Sequence, residues 1–150
     1  MKEITIEIAK AEVLAEVARR AYALGQVATD DERLRWLLQG VADRGKKDII
    51  ANALLDGWEV VMQAMSPYVD SENAEGETMT ILAIVPDNCR GDLARASKRH
   101  IRRVLEFSCL SAWKNVMNQD AGVELAKMSE SAWSLKVLMN TREGVQKIRN

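Results

Sequence analysis

Five cations stand close together in the run 92–118, DLARASKRHIRRVLEFSCLSAWKNVMN. Read as a helix at about 100° per residue, Arg95, Lys98, Arg99, Arg102 and Arg103 fall within a sector of roughly 140°. Leu93, Ile101, Val104 and Ser108 take the opposite side. Such a stripe is either the solvated face of an amphipathic helix or a surface that meets phosphates or an acidic protein. No aromatic residue is interleaved with the cations, so base stacking is not signalled. The net charge of −1 also argues against a dedicated nucleic-acid binder, which usually carries a basic excess. Acids gather at 70–77, and Asp70, Glu72, Glu75 and Glu77 of a neighbouring copy would suit the stripe.

The other residues able to do chemistry form no constellation. His100 is the one histidine, with no cysteine or second histidine at ligand spacing, and reads as a surface or boundary residue. Cys109 lies in an apolar stretch and reads as a small core residue. Cys89 follows a turn and is expected to be accessible, but no base is placed to activate it. Asp43, Asp48 and Asp56 fall on a polar helix side without partners to nominate for acid/base work. Gly40 and Gly45-Lys46 have the spacing of a phosphate loop, but Lys47 follows where Ser or Thr would hold Mg²⁺, and no strand precedes them. The residues therefore predict no catalytic site, no metal site, no cofactor and no small-molecule substrate; the reading is of a protein that is not an enzyme.

The elements that must position the basic stripe follow from periodicity. Ile4, Ile6 and Ile8 alternate with Glu3, Thr5 and Glu7, which predicts a strand covered on one face. Val13, Leu14, Val17, Ala21 and Leu24 predict a helix closed by Gly25. The acids at 30–32 suit a helix start, with Leu34, Leu37, Leu38 and Val41 following. A kink or break is expected at about 40–47 between Gly40 and Gly45. Helical spacing resumes from Ile49 to Met65 until Ser66-Pro67 ends it. Gly57 inside that helix costs about 1 kcal/mol against alanine, which close packing of another backbone would explain.

The polar stretch 70–77 reads as an exposed loop or hairpin arm, and 77–85 as the second strand, stopped by Pro86. The second half of the long helix is apolar almost all round, so Phe107, Leu110, Trp113 and Val116 are expected in the core. Leu125, Met128, Ala132, Leu135 and Met139 predict the buried stripe of a last helix that frays at 141–144 into a basic tail. Trp36, Trp58, Trp113 and Trp133 all lie in predicted helices; they fill the core or anchor another subunit. Two short strands cannot stand alone in water. Either they pair and pack on the helices, or Ile4, Ile6 and Ile8 belong to an arm that adds to a neighbouring subunit's sheet.

One ordered series resembles a known group. WEVVMQAMSPYVD, an acidic spacer, ETMTILAIVPDNCR, a long helix ending near SAWKNVMNQ and a last helix with a basic tail are similar to proteins of about this length from phages and prophages of Bacteroides-type gut bacteria. Ser66-Pro67-Tyr68, Pro86-Asp87-Asn88 and Trp113 carry the likeness, over roughly 58–149. An aromatic residue often follows the Asp-Asn pair in that group, and here it is Cys89. The resemblance implies a virion protein assembled in the bacterial cytoplasm, a head–tail connector or adaptor in the neck, joining portal to tail in an oligomeric ring. It implies portal and tail or neck proteins as partners, and possible contact with DNA in the channel. The runner-up is a small helical nucleic-acid-binding or regulatory protein that uses the stripe at 95–103.

Taken together, the expectation is a mainly α fold, a bundle of four to five helices with a small two-strand β element. It is one domain of 150 residues: an N-terminal strand at 1–8, a helical core at 9–140 and a tail at 141–150. Two cysteines make no disulfide framework, no apolar run approaches the roughly 20 residues that span a bilayer, and the N-terminus does not read as a signal peptide. A soluble protein kept in a reducing compartment is expected.

Overall fold

The computed structural model describes residues 1–23, 44–116 and 118–143. The predicted helix after Thr29, Trp36, residues 40–43 of the expected break and the tail beyond Glu143 lie outside the described residues; the rest of that break, expected to reach Lys47, is instead the first turn of a helix. Within them the chain forms β1 (Lys2–Ala9), α1 (Lys10–Ala23), α2 (Arg44–Met65), β2 (Val69–Asn73), β3 (Thr78–Val85), α3 (Leu93–Val116) and α4 (Gly122–Met139). The fold is mainly α with a small antiparallel sheet, as the periodicities predict.

The sheet has three strands rather than two, in the order β1-β3-β2. β1 and β3 pair over their full length, with Ile6 opposite Ile81 and Ile8 opposite Met79. Their inward residues Ile6, Ile8, Met79, Ile81, Ala83 and Val85 are buried on the helices, and Ile4 is partly buried against the same core. Strand alternation with one apolar face thus does what period two predicts. The candidate inter-subunit strand, Ile4, Ile6 and Ile8, is not a free arm: it is an edge strand of its own chain's sheet. β2 comes from the stretch read as a loop or hairpin arm. Its VDSEN sequence is almost wholly exposed, so no hydrophobic alternation marks it. Gly76 turns the hairpin at φ +80°, a left-handed conformation that glycine adopts without steric cost.

α3 is the axis of the helical layer. It packs against α1, α2, α4 and β1. The residues from Val104 to Ser111 are buried without a break, and Trp113 is buried beyond them. A helix covered on all sides must be apolar on all sides, and this half nearly is. Val116, expected in the core, is instead 38% exposed where the helix runs out. The helix ends in a Schellman-type cap: Asn118 stands at φ 56°, Gln119 N donates to Lys114 O (2.8 Å), and Asn118 N donates to Asn115 O (3.1 Å).

α2 meets α3 at Gly57. A Cβ there would come within 3.1 Å of Ser108 Cβ and 3.2 Å of Leu105 Cδ2, the close approach expected of a helical glycine. Trp58 is buried next to it and donates its indole N–H to Glu72 on β2 (2.6 Å).

α4 buries Glu124, Ser131, Leu135, Leu138 and Met139, while Leu125 is 47% exposed. The predicted stripe is therefore rotated at its N-terminal end. The stretch after α4 is held rather than frayed. Thr141 Oγ1 donates to Val137 O, Arg142 pairs in an isolated bridge with Cys89, and Glu143 N donates to Asn88 O (2.7 Å). This segment covers Cys89, which is buried and not accessible as expected.

Candidate functional site

The basic stripe does not face open solvent alone. Arg95, Lys98, Arg99, Arg102 and Arg103 of α3 form one wall of a cleft of about 360 Å³, and α1 supplies Arg20 and Glu16 opposite. All five predicted surface cations are therefore brought together. Arg103 and Arg20 also border a second cleft of about 280 Å³ on the α4 side, where His100, Lys127 and Glu130 stand. The two clefts make one basic surface across α1, α3 and α4.

Within it the cations divide into two sets. Arg102 lies 3.6 Å from Glu12 and 3.9 Å from Glu106, and Arg20 lies 3.2 Å from Glu16 and 3.6 Å from Glu106. Arg95, Lys98, Arg99 and Arg103 have no carboxylate within 4.0 Å among the described residues. The first set ties α3 to α1; the second makes no such tie among the described residues. The more exposed pairs, Arg102 with Glu12 and Arg20 with Glu16, contribute about 0–1 kcal/mol each, so they orient side chains more than they stabilise the fold.

Glu106 is the residue that the sequence did not reveal. It sits in the buried half of α3, only 4% exposed, at the floor of the cleft. Burial pushes its carboxyl above the usual carboxylate range, and the Arg20 guanidinium pulls it partly back. The signal was present: Glu106 follows Arg102 by four residues, the spacing of a helical ion pair. Glu16 moves the other way, held below the usual range chiefly by its hydrogen bond from Arg19. Arg20 Nε is buried without a hydrogen bond of good geometry, and its guanidinium lies 5.1 Å from the Phe107 ring centroid. Lys127 Nζ stands 5.7 Å from the same centroid, so Phe107 carries two cations. His100 is half-buried, and burial together with Arg103 and Arg99 lowers its pKa.

Among the described residues the first cleft is lined by cations and by the carboxyl groups of Glu16 and Glu106. Cys109 is fully buried, and burial raises its thiol to about 12, so it carries no thiolate near neutral pH. Asp43 lies outside the described residues, and Asp56 is exposed on α2 away from the cleft. Among the described residues no three His, Cys, Asp or Glu side chains form a group that could hold a metal ion. No described helix is long and apolar enough to cross a membrane.

A second surface is apolar. Trp58 and Trp113 are core residues, but Trp133 is 65% exposed on the outer side of α4, with Val123 and Val137 also exposed. α4 has apolar residues on both sides, so periodicity alone does not say which side is covered. Comparison with protein-family models, curated proteins and solved structures finds no match to this chain.

Proposed function

We propose that this chain is a non-enzymatic assembly protein, a head–tail connector subunit that joins portal to tail in an oligomeric ring of a phage virion. The observation that supports this best is the exposed outer side of α4, where Trp133 stands 65% exposed with Val123 and Val137 exposed on the same helix. A large aromatic on the outer side of a helix is a typical anchor at a protein interface. The basic α1–α3 surface lies elsewhere on the same chain and has different chemistry. A ring subunit needs such distinct faces for neighbours and for partners above and below. The resemblance in the stretch 58–149 supplies the specific assignment. Mixing the chain with portal protein and measuring mass by light scattering tests it: a portal complex is expected, and a chain that binds neither portal nor tail components removes the reading.

A second reading has its own observation. Arg95, Lys98, Arg99 and Arg103 line one cleft without carboxylate partners among the described residues, which suits a phosphate backbone. Affinity for duplex DNA that falls steeply with salt supports it, and no shift at low salt removes it.

A further inference from the structure

We infer that the outer side of α4 pairs with the same side of a second copy, antiparallel, across a two-fold axis at Met128–Ser129. Trp133 is 65% exposed on this side and Leu125 47%. Gly122, Ala126 and Ser129 are exposed with them. At about 100° per residue these five lie within a sector of roughly 100°. The segments that lead into and out of α4, at 118–121 and 140–143, are described, and they leave this side uncovered. It carries both halves of a helix–helix contact. Trp133 is the protruding half. Gly122, Leu125, Ala126 and Ser129 stand at i, i+3, i+4 and i+7, the four positions that bound a hole on a helix surface. Three of them are small, and Leu125 adds an apolar wall. The two-fold axis brings Trp133 of each copy to the height of residue 124 in the other, so each indole lies over Gly122, Leu125 and Ala126 of the opposite helix.

Charge complementarity selects a second copy as the occupant. The same axis brings Glu130 of each copy level with Lys127 of the other, because one lies as far beyond the axis as the other lies before it. Both residues stand on the same flank of α4, the one that borders the cleft with Arg20, His100 and Arg103. In an antiparallel helix pair each flank meets its own like, so the two opposite charges face each other, and symmetry makes the pair twice. One register thus matches this surface to itself both in shape and in charge. The contact uses one helix from each copy, which is small against the roughly 1,200–2,000 Å² of stable interfaces, so a dimer of micromolar strength is expected. An isologous contact of this kind closes at two copies and leaves the other faces of each free.

This inference rests on the reading of α4's outer side as a protein interface and not on portal or tail. Its test uses the full chain. Sedimentation equilibrium over a concentration series is expected to show monomer and dimer and nothing larger. Trp133→Ser, at an exposed position, is expected to weaken the dimer at least tenfold, with circular dichroism showing that the variant folds. Glu130→Lys and Lys127→Glu are each expected to weaken it as well. Their equimolar mixture is expected to recover a heterodimer, since both charge pairs are then again of opposite sign. Under mild oxidation Ser129→Cys, next to the axis, is expected to give a disulfide-linked dimer. Lys136→Cys, whose two copies lie about 22 Å apart along the helices, is not. The native Cys89 and Cys109 are buried and do not compete. A wild type that stays monomeric at its solubility limit overturns the inference. So does a dimer indifferent to Trp133→Ser, growth beyond two copies through this face, a mixture no better associated than its components, or equal cross-linking at the two cysteine positions. A monomeric chain that binds portal overturns this inference and leaves the connector reading standing. A dimer that binds neither portal nor tail components does the reverse.

Discussion

The Ser108 hydroxyl donates a 2.6 Å hydrogen bond to the main-chain carbonyl of Ala53, across the line where α3 crosses α2. The bond is possible because Gly57, one turn further along α2, lets the two backbones approach. A Gly57→Leu substitution has no room beside Ser108 Cβ and Leu105 Cα, and is expected to destabilise by about 1–3 kcal/mol or more. Ser108→Ala removes one buried hydrogen bond whose acceptor keeps its intrahelical donor, and is expected to cost only about 1 kcal/mol. Denaturant midpoints of the two variants check the order; a Gly57→Leu protein as stable as wild type would falsify the close-approach account.

Asn118 provides a test of how α3 stops. Its φ of 56° is tolerated by Asn and Gly but strains a β-branched residue. Asn118→Gly is expected to leave thermal stability within a few degrees of wild type, while Asn118→Val costs about 1–2 kcal/mol. Equal melting temperatures for the two variants would show that the cap contributes nothing.

Glu106 predicts a pH dependence with a definite sign. Its pKa is raised in the folded chain, so ionising it is harder folded than unfolded. The protonated form is carried without that cost below the ordinary glutamate range. As pH rises through that range toward the raised folded value, the wild type loses stability on this account. Glu106→Gln has no such loss, so its stability relative to wild type is expected to rise from pH 4 to pH 7. Urea unfolding of both proteins across that span is the measurement, and a difference that stays flat or falls with pH contradicts the assignment.

His100 reports on the same surface from the other side. Burial and the nearby Arg103 and Arg99 lower its pKa, so the neutral ring is favoured in the folded chain. That contribution is complete above the ordinary imidazole value and is lost as pH falls through the lower folded one. A polyanion laid along Arg95, Lys98 and Arg99 would oppose these cations, so His100 is expected to titrate upward when duplex DNA binds. Its NMR titration with and without DNA checks this. Charge reversal at Arg99 should abolish the shift, and reversal at Arg102, already committed to Glu12 and Glu106, should reduce it less.

Much of this arrangement was legible in the sequence, and particular residues show why the rest was not. β1 and β3 announced themselves because one face of each is apolar and the other polar. β2 did not, because Val69–Asn73 is an edge strand with almost nothing buried. The basic stripe is legible as one sector of α3 because its five cations recur at helical spacing. That Arg102 alone of the five has a carboxylate from another helix depends on Glu12, which only the packing of α1 brings near. Periodicity misplaces the α4 stripe at Leu125 because α4 has apolar residues on its outer side as well. Nothing local separates the exposed Trp133 from the buried Trp58 and Trp113, since all three lie in helices. Cys89 is covered by Arg142 and its neighbours, a contact between segments that no local pattern encodes.

The pairing of β1 with β3 also sets a constraint on the order of events in synthesis. Lys2 pairs with Val85 and Ala9 with Thr78, so β1 leaves the ribosome before its partner and pairs only after α1, α2 and the hairpin have emerged. Until then Ile4, Ile6 and Ile8 form an unpaired apolar strand on a nascent chain. Pairing between segments this far apart in sequence is closed slowly and leaves strand edges exposed to other molecules in the meantime. The acids Glu3 and Glu7, placed between those isoleucines, keep charge on the strand throughout that wait and discourage two nascent chains from pairing with each other.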